Sequence, residues 1–168
     1  EEAQREASVL QALQGSAYFP ALIRHDVDPA SGNAYLVMEF LEGRTLKAAM
    51  PQVQSAPVAA LRIGAQVFRA LEELHAKGFV HHDVKPGNIL VDQAWQVHLI
   101  DLRLSSTVDE VSPGLTLSYA SPEQLQIAQV VGPASDVYSA ALILYELLTG
   151  DKAFTAPSTG VVGDMLEQ

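Results

Sequence analysis

The first pattern along the chain is helical. From Glu1 to Leu13 apolar residues recur every three or four positions, acidic residues stand at the front, and Gly15 follows shortly afterwards. This spacing places the apolar side chains on one face of a helix, and a glycine is typical of a helix end. The apolar positions are Ala3, Ala7, Leu10 and Leu13. We therefore predict an amphipathic helix over residues 1–13.

Two β-rich runs follow this helix. They are Leu22–Val27 and Ala34–Phe40, and the residues between them, 28–33, include aspartate, proline, glycine and asparagine. This composition favours a turn, so the pattern predicts a β-hairpin. The break at 41–43 is then followed by a short helical stretch, which we expect to end at Met50 because Pro51 comes next.

A longer helix is predicted after this proline. Ser55 is a candidate cap, Pro57 is tolerated in a first turn, and Gly78 is typical of a helix end. Between them one apolar face is marked by Ala60, Gly64, Val67, Leu71 and Leu74.

The second half of the chain predicts two short strands and one buried helix. The strands are Ile89–Val91 and Gln96–Ile100, and a loop without clear periodicity runs from residue 101 to about 119. A loop of this length indicates function. The last helix begins near Ser135 and Asp136, where an acid is also placed to cap it, and runs to Gly150 with apolar residues all round.

The composition describes an acidic globular chain. Its 168 residues include 20 acidic and 10 basic side chains, a formal net charge of -10, and no cysteine. The scattered basic residues argue against nucleic acid or anionic lipid as a partner, and the lack of cysteine excludes disulfides and a thiolate zinc site. The most apolar stretch, Ala140–Leu148, is too short to span a membrane. We expect no nucleic-acid partner, no membrane contact from this segment, and a cytoplasmic location.

The segment His81–Leu90 carries the most informative chemistry. It lies between a helix end and a strand, and Pro86 and Gly87 bend its backbone between three polar side chains. Asp83 can accept a proton, Lys85 can neutralise phosphate, and Asn88 can bind a hard metal ion through its oxygen. Chemistry on a loop between rigid elements is the usual arrangement.

A second acid, Asp101, directly follows the predicted strand Gln96–Ile100. From there its carboxylate can face Asn88 across a small hairpin. Magnesium prefers one or two such protein ligands together with phosphate oxygens, so the pair predicts a Mg²⁺ site for nucleotide chemistry.

These residues resemble the catalytic loop and metal-binding segment of the eukaryotic-type serine/threonine protein kinases, including those found in bacteria. Tyr35–Gly43 looks like the strand and hinge that hold adenine in this family, and residues 116–123 are similar to the end of an activation segment. Asp136–Ser139 resembles the start of the buried helix that anchors the catalytic loop.

The resemblance implies an α+β, protein-kinase-like fold fragment. It would contain a partial small β lobe with one helix and the first half of the mainly helical large lobe, as a single partial domain truncated at both ends. The implied parts are residues 1–38 for the rear of the small lobe, 39–43 for the hinge and 44–168 for part of the large lobe.

The resemblance also implies roles in phosphoryl transfer. Asp83 would orient or deprotonate the substrate hydroxyl, Lys85 would steady the γ-phosphate, and Asn88 and Asp101 would bind Mg²⁺, with Mn²⁺ as a substitute. The cofactor would be ATP, and the partner a protein with an acceptor serine or threonine. Lys85 two residues after Asp83 favours serine and threonine over tyrosine.

Other residues receive roles from the same resemblance. Adenine would lie at Met38, Glu39 and Leu41, with Met38 as the gatekeeper. Glu6 would be the helix glutamate that pairs with a lysine of the small lobe. Residues of the activation segment would be Thr116 and Glu123.

The chain departs from the family pattern at several positions. His82 replaces an arginine that pairs with a phosphorylated activation loop, so we expect catalysis not to rely strongly on such phosphorylation. We also expect His82 to be partly solvated beside a packed His81. Leu102 and Arg103 replace the phenylalanine and glycine of the D-F-G motif, and Arg103 is placed to pair with Asp101. The glycine-rich phosphate loop and the lysine partner of the helix glutamate are missing from these 168 residues.

Two alternatives stay open. A small-molecule phosphotransferase of the aminoglycoside type shares a His-x-Asp-x4-Asn loop, but Lys85, residues 121–123 and residues 136–139 count against it. A pseudokinase, a binding or scaffolding module that keeps the fold without turnover, is favoured by Arg103 and the missing lysine.

Overall fold

The computed structural model of the chain describes residues 2–107, 118–125 and 130–154. The helices, strands and 3₁₀ turns in these ranges are, in chain order, α1 (Glu2–Ala12), β1 (Leu22–Val27), β2 (Ala34–Met38), β3 (Arg44–Thr45), α2 (Leu46–Gln54), α3 (Pro57–Ala76), β4 (Phe79–Val80), a 3₁₀ turn (Pro86–Asn88), β5 (Ile89–Val91), β6 (Val97–Leu99), a second 3₁₀ turn (Leu102–Leu104), β7 (Ser106–Thr107) and α4 (Pro133–Thr149).

Helix α1 and the β1–β2 hairpin form where the sequence predicts them. The strands pair antiparallel, with His25 opposite Leu36. The carboxylate of Asp28 accepts hydrogen bonds from the Ala30 amide and the Ser31 hydroxyl, which closes the turn. The second strand ends at Met38, two residues earlier than predicted.

The early end of β2 follows from its partner strand. The Glu39 amide still donates to the Ala21 carbonyl at 2.9 Å. The Ala21 amide, in turn, donates to the carboxylate of the Glu39 side chain at 3.3 Å, so the ladder lacks its reciprocal backbone bond at this pair. Phe40 lies beyond the end of the strand and is 87% exposed.

Helix α2 corrects the prediction that Pro51 ends it. The helix is capped by the Thr45 hydroxyl, which accepts from the Ala48 amide, and continues through Pro51 to Gln54. An internal proline removes one hydrogen bond and costs about 3 kcal/mol. Here the helix buries an apolar face completely, with Leu46 and Val53 both 0% exposed, and this burial offsets the loss.

The start of helix α3 also differs from the prediction. Its N-cap is Ala56, and Ser55 instead closes the end of α2 by donating its hydroxyl to the Pro51 carbonyl. Pro57 occupies the first turn of α3 as predicted. At the other end Gly78 has φ +82°, a left-handed conformation that glycine adopts without strain, and it follows the helix as predicted.

Helix α4 begins at Pro133, two residues earlier than predicted, with Gly132 as its N-cap. It ends before Gly150, whose φ of +88° and N–H bond to the Glu146 carbonyl complete the last turn. The helix is buried on one face only. Among the described residues, its other side leaves Val137, Tyr145 and Leu148 about half exposed.

The short strands anchor the segment that carries the predicted chemistry. Strand β5 pairs with both β3 and β6, and β4 pairs with β7, with Val80 opposite Ser106. Residues 81–88, which we call the Asp83 loop, therefore leave one paired strand and enter another. Beneath the loop, one hydrophobic core joins residues of α1, α2, α3, β5, β6 and α4. None of the described helices has the length and hydropathy needed to cross a membrane.

Candidate active site

Three predicted site residues meet on the Asp83 loop. The Nζ atom of Lys85 lies 2.5 Å from Oδ2 of Asp83. The carboxamide nitrogen of Asn88 donates to the same oxygen at 2.9 Å and to the Asp83 carbonyl at 3.0 Å. One carboxylate oxygen thus receives two donors, one of them charged. Asp83 and Asn88 are buried, whereas the Lys85 side chain is 30% exposed.

The local sequence explains this grouping. Pro86 opens the 3₁₀ turn, where its fixed φ suits the first position, and the Asn88 amide donates to the Lys85 carbonyl at 2.9 Å. The turn brings Asn88 back towards Asp83. Strand β5 begins directly afterwards at Ile89, so the turn cannot move far without breaking the pairing of that strand.

Asp136 holds the start of the loop from below. It is 1% exposed, and its two carboxylate oxygens accept the His81 amide at 2.8 Å and the His82 amide at 2.9 Å. The Nε2 atom of His75 lies 2.8 Å from the same carboxylate. Because Gly132 is the N-cap of α4, Asp136 does not cap the helix but binds the backbone of the loop.

His82 is buried, so the prediction that it is partly solvated is wrong. It is 3% exposed, and its Nε2 atom lies 2.5 Å from the hydroxyl of Ser106. The β4–β7 pairing places Ser106 opposite Val80, which brings the hydroxyl beside the loop. His82 also has φ +68°, a strained left-handed conformation for this residue type. His81 is fully buried, as predicted.

Asp101 pairs with Arg103, as the sequence suggested. The guanidinium Nε lies 2.6 Å from Oδ1 and Nη2 lies 2.9 Å from Oδ2, a two-point contact. This contact lowers the pKa of Asp101 and raises that of Arg103. The Asp101 side chain is 26% exposed and that of Arg103 is 56% exposed, so the pair lies at the surface.

The Asp101 segment is attached to both the Asp83 loop and helix α1. The Ile100 amide donates to the Asn88 carbonyl at 3.0 Å, which places Asp101 one residue from a backbone contact with the loop. On the other side, Glu6 accepts the Leu102 amide at 3.2 Å. Glu6 is buried, and this burial raises the pKa of its carboxyl. Glu6 and Asp101 therefore flank the same backbone turn.

The three residues predicted to hold adenine lie on the segment between β2 and β3. Met38 ends β2 and is partly buried, Leu41 is partly buried, and Glu39 is exposed with its carboxylate accepting the Ala21 amide at 3.3 Å. Within the described residues, no hydrogen bond joins them to the Asp83 loop.

The two predicted residues of the activation segment have different outcomes. Thr116 lies outside the described residues. Glu123 accepts a hydrogen bond from the Ser135 hydroxyl of α4, and this contact lowers the pKa of Glu123.

Three residues near the loop were not predicted from the sequence to belong to the site. Ser106 contacts His82, and His75 contacts Asp136, as described above. Gln124 donates through Nε2 to the His82 carbonyl at 2.8 Å. No periodicity or local motif distinguishes these residues, since tertiary packing brings Ser106 and Gln124 to the loop and His75 to Asp136.

An α+β fold in which a buried helix aspartate holds an Asp-x-Lys-x-x-Asn loop defines a domain of the protein-kinase type. The chain belongs to the protein kinase domain family, whose sequence pattern matches residues 1–167. The predicted family and fold class are therefore confirmed.

Curated relatives of this chain are bacterial serine/threonine kinases. The chain is 36% identical over 140 residues to a probable serine/threonine-protein kinase of Clostridium perfringens, an alignment that covers 79% of the chain and 20% of the relative. It is 38% identical over 128 residues to serine/threonine-protein kinase PknA of Mycobacterium tuberculosis, covering 72% and 30%. For PknL of the same organism the identity is 40% over 134 residues, covering 74% and 33%. The aligned parts thus span about a fifth to a third of these relatives.

Proposed function

We propose that this domain transfers the γ-phosphoryl group of ATP to serine or threonine hydroxyls of protein substrates. The observation that supports this proposal is the hydrogen-bonded group of Asp83, Lys85 and Asn88, in which a buried carboxylate is held by a cation and an amide. The relatives named above are serine/threonine kinases, which agrees with this chemistry. ATP is abundant in the cytoplasm, and we propose that location for the domain.

In the proposed reaction, Asp83 orients the acceptor hydroxyl and takes its proton as the oxygen attacks the γ-phosphorus, while the bond from that phosphorus to the bridging oxygen breaks and ADP leaves. Lys85 neutralises charge on the phosphoryl oxygens, and its three ammonium donors allow this contact alongside that with Asp83. Because Lys85 and Asn88 both bind Oδ2, the plane of the carboxylate is set before substrate arrives. Positioning of this kind supplies much of the rate enhancement in phosphoryl transfer.

The donor set beside Asp83 fits magnesium. The Asn88 carboxamide nitrogen is bound to Asp83, so its oxygen, a hard ligand, faces away from that residue. Asp101 supplies a carboxylate from the adjacent segment, and the contact with Arg103 lowers the pKa of this carboxylate. One carboxylate and one amide oxygen, completed by phosphate and water, suit Mg²⁺, and Mn²⁺ accepts the same ligands. Bound magnesium would neutralise charge on the phosphates.

The remaining assignments concern the nucleotide and the substrate. We assign adenine to the segment after β2, with Met38, Glu39 and Leu41, and the helix glutamate to Glu6. We assign Glu123 and Thr116 to the activation segment.

A catalytically silent binding domain is the second candidate. It is favoured by one observation, the two-point contact through which Arg103 occupies both oxygens of Asp101. A carboxylate that keeps this contact is a poorer metal ligand, so a domain with a permanent Arg103–Asp101 pair would have no turnover.

The substitution Asp83→Asn separates these candidates. It removes the base but keeps a side chain of similar size, and we expect kcat of the intact protein for Mg²⁺-ATP and a serine/threonine substrate to fall about 100-fold or more. Asp92→Asn is the matched control, since the Asp92 carboxylate accepts the backbone amides of Ala94 and Gln96 in a turn beyond β5, away from the Asp83 loop. Equal phosphorylation by the wild type and Asp83→Asn would contradict the catalytic proposal. Nucleotide binding without turnover in the wild type would favour the silent domain.

A further inference from the structure

Gln124 connects the segment after Tyr119 to the Asp83 loop. Its Nε2 donates to the His82 carbonyl at 2.8 Å, and its Oε1 accepts the Ser121 amide at 3.0 Å. A backbone carbonyl can only accept and a backbone amide can only donate, so these two partners determine the orientation of the carboxamide. Gln124 therefore bridges the backbone at Ser121 to the backbone at His82, which lies 42 positions before Gln124 in the chain.

The carbonyl that Gln124 binds belongs to the peptide group leading into Asp83. The N–H of the same peptide group donates to Nδ1 of His81 at 3.4 Å. The preceding peptide group donates its N–H to Asp136 at 2.9 Å. Two consecutive peptide groups therefore have hydrogen-bond partners, and Gln124 is the partner of the His82 carbonyl.

This peptide group needs support because the residue before it is strained. His82 has φ +68°, a left-handed conformation that a non-glycine residue adopts only with strain. Such strain persists only where surrounding contacts determine the conformation. Without a hydrogen-bond donor to its carbonyl, the peptide group can rotate towards a relaxed geometry and turn Asp83 with it.

We propose that Gln124 is a positioning residue, which holds the His82–Asp83 peptide plane and thereby aims the Asp83 carboxylate. This inference rests on the proposed function of Asp83. It assigns Gln124 no contact with substrate, ATP or metal. Its effect is expected on the rate of the chemical step and on the protection of the loop, with little effect on nucleotide binding.

The test is Gln124→Met in the intact protein, which keeps the length of the side chain and removes both hydrogen bonds. Gln66→Met is the matched control. Gln66 makes the same two-way contact elsewhere, donating to the Trp95 carbonyl at 2.8 Å and accepting the Val97 amide at 3.2 Å. We expect kcat to fall about 10- to 100-fold in Gln124→Met, with KM for ATP within about twofold, while the control keeps the wild-type kcat.

Hydrogen exchange gives a second readout that does not depend on turnover. The amides of residues 82–84 are expected to exchange faster in Gln124→Met than in the wild type, and at the wild-type rate in Gln66→Met. If the wild type itself transfers no phosphate, the proposed function fails while exchange still decides the role of Gln124.

The other outcomes of the kcat and hydrogen-exchange measurements also decide the role of Gln124. A wild-type value of either kcat or the exchange rate of residues 82–84 in Gln124→Met would overturn the inference, as would an equal loss of kcat in both variants. If Gln124→Met does not fold, Gln124→Glu takes its place, because it keeps the acceptor for Ser121 and sets a carboxylate oxygen against the His82 carbonyl. The same fall in kcat and faster exchange are then expected, and their absence overturns the inference.

Discussion

Arg103 binds both carboxylate oxygens of Asp101, with Nε 2.6 Å from Oδ1 and Nη2 2.9 Å from Oδ2. The contact is local: Asp101 has φ +64°, and the 3₁₀ turn that begins at Leu102 brings the guanidinium back over the carboxylate. The carboxylate that we assign to magnesium therefore already binds one cation, the Arg103 guanidinium, through both of its oxygens. Metal binding at Asp101 requires this cation to share the carboxylate or leave it.

The substitution Arg103→Gly tests this competition. We expect it to raise the affinity for Mn²⁺ about two- to fivefold, measured by electron paramagnetic resonance on the intact protein with a non-hydrolysable ATP analogue. The expected change in affinity is small because the ion pair is exposed, with the Arg103 side chain 56% and the Asp101 side chain 26% exposed. Exposed ion pairs contribute about 0.5–1 kcal/mol.

Arg24→Gly is the control for the change in net charge. Arg24 makes a similar pair with Asp26 two residues along, at 2.5 Å, on the exposed hairpin strand β1. Its removal should leave the Mn²⁺ affinity unchanged. If Arg103→Gly also leaves it unchanged, the guanidinium does not compete with the metal.

A second prediction concerns the buried contact below the loop. In Asp136→Asn one carboxylate oxygen becomes an NH₂ group that faces a backbone N–H, so a donor is left without an acceptor. We expect the free energy of unfolding to fall by about 2–3 kcal/mol, measured by urea denaturation. Asp151→Asn, with the same change of charge at an exposed position after α4, should shift it by less than about 0.5 kcal/mol. Equal shifts in the two variants would show that the Asp136 contacts do not stabilise the loop.

The Asp83 loop was predictable because its chemistry is local. Asp83, Lys85 and Asn88 lie within six consecutive residues, and a proline and a glycine restrict the backbone between them. Chain connectivity therefore brings the side chains together with little help from the rest of the fold. Gln124 and Ser106 were not predictable in this way, because packing of distant elements brings them to His82, 42 and 24 positions away along the chain.

The limits of the fold prediction have the same origin. The hydrophobic period identified α1 and α3, and β-rich runs around turn residues identified the hairpin. The effect of Pro51 is overridden by burial of α2 against the core, which a local propensity does not contain. Strands β3, β4 and β7 have two residues each and no period of their own. They exist because partners elsewhere in the chain complete their hydrogen bonds.

A third prediction concerns Gly43, which lies in the predicted hinge. A Cβ atom there would lie 2.7 Å from the Val91 carbonyl oxygen, and the residue has φ +153°. We expect Gly43→Ala to lower the free energy of unfolding by about 2–4 kcal/mol, measured by urea denaturation. Gly32→Ala is the control, because Gly32 has φ +72° with open space around it and should lose only about 1 kcal/mol. A loss no larger than that of the control would show that β5 moves to admit the methyl group.

The contact between Glu123 and Ser135 gives a prediction about pH. The Ser135 hydroxyl donates to the carboxylate and lowers the pKa of Glu123 below its ordinary value of 4.5. A carboxyl whose folded pKa is lowered contributes stability that is present above the unfolded pKa and is lost as the pH falls through the folded pKa. The contribution of this contact should therefore be complete above pH 4.5 and decline below it.

Ser135→Ala should accordingly lower the free energy of unfolding most above pH 4.5, and by progressively less as the pH falls below that value. Urea denaturation between about pH 3 and 7 measures the effect, and a ¹³C NMR titration should show the pKa of Glu123 rising in the variant. Ser55→Ala is the control, because the Ser55 hydroxyl donates to the Pro51 carbonyl, which does not titrate. Its effect should be the same at every pH. If the effect of Ser135→Ala is equally constant, the hydroxyl stabilises α4 through packing, and the ionised state of Glu123 does not depend on it.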